Sequence, residues 1–251
     1  MIEDLKTLLW FLRRPSFYAT MVALIIRKFL KNKDREEDRQ HIWCNERKTT
    51  LEACFSNLGL EFHDSKPFKQ DYLAAVQKKI DNSTSNFGGK GHIDLLFNIC
   101  ESLEVTEALE TGVAYGWSSE AILRSLSKRS GRLISVDMPM LKQDDYELIG
   151  VAVEDSNLQY WDLIRKPDKY GLKEAIRKLN YSYDLAHYDS DKSYYGRKWS
   201  QPIIWKHLKP GGVFISDDIE DNSAFREFVE EEQLDFHVFE FEGKYVGIVK
   251  K

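Results

Sequence analysis

The residues with the most chemical capacity fall in a few short stretches. In ALETGVAYGWSSEAIL, Ala108 to Leu123, an apolar run ends at Glu110, glycines follow at 112 and 116, and Ser118 and Ser119 come next. The two glycines allow a tight turn and close approach of a ligand to the backbone. Either serine can cap a helix that starts there. Asp137 closes a second apolar run, RLISVD, 21 residues after Gly116. A carboxylate so placed can accept both hydroxyls of a ribose. The dinucleotide fingerprint G-x-G-x-x-G is absent, and a diphosphate gains little beside Glu110. A cationic ligand gains from that carboxylate. An adenosine-bearing molecule with a positive centre and an amino-acid tail meets all these demands, and S-adenosylmethionine is one.

These residues need a scaffold that brings strand ends together. From about Gly91 the chain alternates helix and strand: IDLLFNICESL (helix), VTEALET (strand), SSEAILRSLSK (helix), RLISVD and YWDLIR (strands), GLKEAIRKL (helix), YDLAHYD (strand). KWSQPIIWKHL reads as a helix with Pro202 early in it, followed by the strand GGVFISDD and the helix SAFREFVEEE. DFHVFEF and YVGIVK, joined by EGK, read as an antiparallel hairpin. Such alternation predicts an α/β fold with a mostly parallel sheet, helices on both faces and the hairpin at one edge. Ligands collect at the carboxyl ends of such strands. Residues 41–86 read as mainly helical, and NFGGKGH, residues 86–92, as a flexible junction.

LETGVAYGWSS followed by LISVD resembles the cofactor-binding motifs of class I S-adenosylmethionine-dependent methyltransferases. YDLAHYDSDKSYYG and LKPGGVFISDD are similar to that superfamily's later motifs, and the resemblance covers roughly residues 86–249. It implies a Rossmann-like fold with a seven-stranded sheet over residues 86–251; the helical extension before it, residues 1–85, is read from its own apolar spacing and shows no such resemblance. It also implies cofactor contacts from Glu110, Thr111, Gly112, Gly116, Trp117, Ser118, Asp137, Asp168 and Asp189. Asp189, Lys192 and Tyr195 are spaced as in the D-x-x-K-x-x-Y of cation-dependent O-methyltransferases. That resemblance implies a divalent cation, Mg²⁺ above all, on Asp189, Asp217 and Asp218, with aspartate at 218 where asparagine is usual. The expected activity is methyl transfer to a small-molecule hydroxyl, on a sugar, a phenol or a lipid-linked acceptor. The metal would lower the pKa of the acceptor hydroxyl and orient it, with Asp189 and Lys192 catalytic and Lys192 taking the proton. The alternatives are a metal-independent methyltransferase and a binding protein that keeps the fold without the chemistry.

Composition narrows the partners. A net charge of −5 over 251 residues argues against nucleic acid, which normally meets a basic face. Residues 1–48 differ, with 11 Lys/Arg against 7 Asp/Glu. Leu5, Leu8, Leu9 and Leu12, then Tyr18, Met21, Val22, Ile25 and Phe29, follow helical spacing on either side of Pro15. The longest uncharged run there, Pro15 to Ile26, has 12 residues and is too short to span a bilayer. With Arg27, Lys28, Lys31 and Lys33 beyond it, residues 5–33 suit an arm on its own domain, on a second copy in a homo-oligomer, or at a peripheral membrane surface. Residues 31–40 read as a solvated charge run. Cys44, Cys54 and Cys100 have no metal or redox spacing, and the start MIEDLK has no secretory character. Both point to a cytoplasmic protein with reduced thiols. His187, in mid-strand, reads as a sheet histidine, and Trp161, Trp199 and Trp205 as core.

Overall fold

The computed structural model describes residues 7, 9–29, 37–83, 86–139 and 146–251. Seven strands, β1 (Glu107–Thr111), β2 (Arg132–Val136), β3 (Trp161–Ile164), β4 (Tyr183–Tyr188), β5 (Leu208–Ser216), β6 (Phe236–Phe241) and β7 (Lys244–Lys250), form one sheet in the order β3-β2-β1-β4-β5-β7-β6. Strands β1 to β5 pair in parallel, while β7 is antiparallel to both β5 and β6. The chain moves outward from β1 to β3 and then crosses back to place β4 on the other side of β1. This reversal opens a crevice at the carboxyl ends of β1 and β4.

Alternate residues of each strand feed separate cores, as the pleat requires. Ala108, Leu133, Leu185 and Val213 pack with α3 (Leu51–Asn57), α4 (Gln70–Asp81), α5 (Ile93–Ser102) and α6 (Trp117–Leu126), through residues such as Phe55, Val76, Ile99 and Ile122. Their neighbours Leu109, Ile134, Ala186 and Phe214 face the other way. They meet α7 (Asp168–Lys178), α8 (Tyr194–His207) and α9 (Ala224–Glu231), with Trp43 and Cys44 of α2 (Glu37–Arg47) at the same core. Helices α3 and α4 therefore share one core with the sheet. The three cysteines are free and buried, and burial pushes the Cys44 and Cys54 thiols up to about 12.

Three details depart from the sequence reading. Residues 60–69 are irregular, a stretch that includes Pro67, whose ring resists helix. Helix α8 begins at Tyr194, capped by Ser193, which accepts from the Gly196 amide at 3.1 Å. Pro202 consequently lies well inside its 14 residues and not near its start. The third is at α6: its N-cap is Gly116, with no side-chain cap, and Ser118 and Ser119 serve elsewhere.

Of the N-terminal arm, Leu5, Leu8, Lys31, Lys33 and the side chains of Arg27, Lys28 and Phe29 lie outside the described residues. Helix α1 (Tyr18–Phe29) exposes Tyr18, Val22, Ile25 and Ile26, whereas Phe11, ahead of it, is buried. The expected charge run covers residues 31–36, also outside the described residues, and then enters α2, where Gln40 is buried. No described helix is long and apolar enough to cross a membrane. At the far edge of the sheet, Thr49 donates its amide to the Val238 carbonyl at 2.8 Å, so the chain before α3 covers part of β6.

Gly116 turns the chain from β1 into α6 at φ 83°, and a Cβ there would lie 2.7 Å from the Gly150 Cα. Its missing side chain thus makes room for the 150 loop. Gly116→Ala is expected to lower unfolding stability by about 1–3 kcal/mol, read as a lower midpoint in urea with an unchanged slope.

Candidate active site

The parallel register sets Glu110 on β1 between Ser135 on β2 and His187 on β4. Glu110 is fully buried. Its carboxylate accepts the hydroxyls of Ser118, Ser119 and Ser135, each at 2.6 Å. His187 Nδ1 lies 3.7 Å from Glu110 Oε1, and His187 Nε2 lies 3.3 Å from Asp217 Oδ2. Burial alone would depress the His187 pKa, but Asp217 and Glu110 outweigh it and raise it to about 10. The two carboxylates therefore favour the imidazolium form of this strand histidine. The three serine hydroxyls take the place of water around Glu110, since a buried carboxylate without donors costs roughly several kcal/mol.

Two cavities open where these strands end. The larger, about 640 Å³, is lined by Gly112, Asp137, Asp168, Asp189 and Lys192, with Trp199 and Tyr195 of α8 and Thr20 and Leu24 of α1. The smaller, about 240 Å³, takes Trp117, Ser118, His187, Asp217, Asp218 and Lys244. Gly112, Asp189 and Lys192 line both, so the cavities meet there. Glu110, Thr111 and Gly116 line neither cavity. Gly112, at φ 82°, brings β1 against β4: a Cβ would sit 2.3 Å from the Asp189 carbonyl oxygen.

Around the larger cavity the acids are held firmly. Asp137 Oδ1 accepts the Val113 amide at 3.2 Å and Oδ2 pairs with Arg165. Burial pushes its pKa up and Arg165 opposes that rise. Asp168, in the first turn of α7, accepts the Ser190 hydroxyl, which also reaches Thr111 Oγ1 at 2.9 Å. Burial, against that hydrogen bond, raises the Asp168 pKa to about 6, with Asp191 and Asp137 adding to the rise. Burial and then Asp217 raise Asp189 to about 6 as well, against Lys192. Asp191 also lines this cavity; its carboxylate accepts the Ser193 amide at 3.1 Å and fills the space that a Cβ at 196 would need.

Asp189, Asp217 and Asp218 come together, but with lysines among them. Lys192 pairs with Asp218 Oδ2 and stands 3.1 Å from Asp189 Oδ1, while Lys244 Nζ is 2.8 Å from Asp218 Oδ1. Both oxygens of Asp218 are thus engaged by ammonium groups, and Asp217 faces His187. Among the described residues no group of three or more His, Cys, Asp or Glu is arranged to hold a metal ion. This donor set does not fit the expected Mg²⁺, which needs free carboxylate oxygens at close range. Burial would lower the Lys192 pKa, but Asp189 and Asp218 hold it well above the usual lysine range. The two carboxylates thus favour the ammonium form of Lys192, which opposes the base role expected from spacing.

Arg197, buried in α8, fixes the loop after β5: it donates to Ser216 Oγ at 3.0 Å and to the carbonyls of Asp217 and Asp218, each at 2.9 Å. Sequence reasoning missed Arg197, Arg165, Lys244 and the cavity-facing Trp199. Arg165 had a signal, a cation one residue past β3 facing the acid one residue past β2. Lys244 and Arg197 had none, because only the folded hairpin and α8 carry them to the acids.

A family model described as a methyltransferase domain matches residues 109–219. No curated protein matches the chain. The structure of the O-methyltransferase from Bacillus cereus with S-adenosylhomocysteine superposes with a TM-score of 0.60 at 17% identity, covering 75% of this chain and 94% of that one. A methyltransferase from Geobacter sulfurreducens gives 0.57 at 13% identity, covering 81% of this chain and 97% of that one. The O-methyltransferase TomG from Streptomyces achromogenes, which is involved in tomaymycin synthesis and was solved with S-adenosylmethionine, gives 0.55 at 14% identity over 80% of this chain and 96% of its own. The chain has the class I S-adenosylmethionine-dependent methyltransferase fold, and within it resembles small-molecule O-methyltransferases.

Proposed function

We propose that the protein transfers the methyl group of S-adenosylmethionine to a hydroxyl oxygen of a small molecule. One observation carries this reading: Asp137, Asp168, Asp189 and Lys192, from the segments that follow β2, β3 and β4, line a single cavity of about 640 Å³ at the crevice beside β1. That volume lies within the ordinary range for small-molecule sites, roughly 300–1,000 Å³. In this reading Asp137 receives the ribose, Asp168 lies toward the adenine, and Gly112 gives the cofactor its backbone approach. Trp117 and Ser118 serve the amino-acid end from the smaller cavity. Residues 86–251 form the cofactor domain. The extension, residues 1–85, contributes to the acceptor side, which Thr20 and Leu24 on the cavity wall support. Neither a membrane surface nor a second copy is required for this arrangement.

The transfer is an in-line displacement, so alignment of oxygen, methyl carbon and sulfur is the main task. The acceptor oxygen forms a bond to the methyl carbon as the carbon–sulfur bond breaks, and the sulfonium becomes a neutral thioether. The hydroxyl proton goes to Asp189, which is ionised at neutral pH and, with its pKa raised to about 6, basic enough to receive it. The Lys192 ammonium stabilises negative charge that develops on the oxygen. The Mg²⁺ expected from the resemblance takes no part in these steps, since the acids meant for it are engaged by Lys192, Lys244 and His187.

Calorimetric titration with S-adenosylhomocysteine tests the cofactor site: saturable binding is expected, weakened about tenfold or more by Asp137→Ala. Equal binding by the two proteins would remove Asp137 from the site. Once an acceptor is found, turnover should rise with pH through about 6 and level off above it, because Asp189 must be ionised to accept the proton. Asp189→Asn should abolish that rise. Lys192→Met should lower kcat by about 10²- to 10³-fold with cofactor affinity little changed, and an unchanged kcat would exclude Lys192 from the chemistry.

A further inference from the structure

We infer that the ammonium groups of Lys192 and Lys244 stand in place of a divalent cation, so that the reaction proposed above is metal-independent and its electrophilic charge is built into the chain. The inference rests on that reading for the reaction, but its test does not.

Asp218 is the centre of the argument. Its side chain is almost wholly buried, at 7% exposure, and its two oxygens meet two different ammonium groups. Lys192 arrives from the loop after β4 and also reaches Asp189, whereas Lys244 arrives from the first residue of β7. The start of β7 and the acid itself are anchored. The Tyr245 amide, next to Lys244, donates to Glu220 Oε2 at 3.0 Å, which pins the start of β7 to the segment that follows Asp218. Arg197 holds the carbonyls of Asp217 and Asp218 from the other side. The third acid, Asp217, is matched by His187. Three carboxylates are thus faced by three nitrogen groups of this chain, and a hard cation placed among them would compete with the two ammonium groups for the same oxygens. To enter, it would have to expel Lys192 and Lys244 and shed its own water, and Mg²⁺ dehydrates reluctantly.

An ammonium supplies part of what the metal would. It places a fixed positive charge beside the acceptor oxygen and donates up to three hydrogen bonds, without requiring the acceptor to chelate. Lys192, at the junction of the cavities, makes the contact; Lys244 is a positioning residue that holds Asp218 and leaves Lys192 charged and in place.

The test is Mn²⁺ binding, followed through the electron paramagnetic resonance signal of the free ion, with no acceptor present. Wild-type protein, the single variant Lys244→Gln and the double variant Lys192→Met/Lys244→Met are compared, each with and without S-adenosylhomocysteine. The expected result is negligible Mn²⁺ uptake by wild type and uptake at least about tenfold tighter in the double variant, a change of about 1.4 kcal/mol. The single variant should lie between them. Wild type binding Mn²⁺ as tightly as the double variant would overturn the inference, because the lysines would then simply move aside. Uptake by none of the proteins, each folded by its thermal transition, would also overturn it, since the lysines would then cover no cation site. Failure of wild type to bind S-adenosylhomocysteine would instead count against the cofactor reading and leave the metal comparison standing.

Discussion

The buried carboxylate of Glu110 is the constraint on which the rest of the site depends. It sits on β1, an interior strand of the sheet, fully buried, so its donors must come from the fold. Ser118 and Ser119 commit the first turn of α6, Ser135 commits β2, and His187 commits β4. His187 then carries the constraint to Asp217 at the end of β5. One charge therefore fixes the relative height of four elements around the crevice. Leaving any of these partners out would strand a charge in a low-dielectric interior, which is far costlier than losing a surface ion pair.

The same logic of compensation explains the acid-rich floor of the cavities. Asp137 has Arg165, Asp218 has Lys192 and Lys244, and Asp217 has His187. Asp189 has Lys192 at 3.1 Å, yet burial and then Asp217 still raise its pKa to about 6. A carboxylate left basic beside an ammonium that stays charged is a workable pair for moving a proton off a hydroxyl. Catalytic sites are made by such division of environments among similar groups. The glycine at 112 contributes by absence: it lets the ends of β1 and β4 approach so closely that Asp189 sits at the junction of both cavities.

Local sequence determined the order and kind of elements in the domain, since apolar periodicity and strand-end polar residues are properties of neighbouring positions. The alternation from IDLLFNICESL to YVGIVK became the helices and strands of the seven-stranded sheet, with β7 reversed as the EGK turn implied. Asp137, Asp168, Asp189 and Lys192 were legible too, because strand ends in a parallel sheet point at one crevice whatever the details. Periodicity failed where a tertiary partner overrode it. Ser118 and Ser119 look like helix caps in sequence, yet a buried acid claims their hydroxyls. Pro202 looks like a helix start, yet Ser193 begins α8 earlier.

What only the tertiary structure decided was the charge state and company of each group. Lys192 is spaced as a base should be from Asp189, but two carboxylates keep it protonated. Asp189, Asp217 and Asp218 have the residue types of a cation site, but Lys244, 26 residues further along, closes it from the hairpin. Arg197 and Trp199 belong by sequence to the helix α8, and by structure to the loop after β5 and to the cavity wall. Spacing along the chain reports which atoms can be brought near each other by a helix or strand. Electrostatic free energy depends on all charges within several ångströms and on how much water is excluded, and those are set only when distant segments have packed.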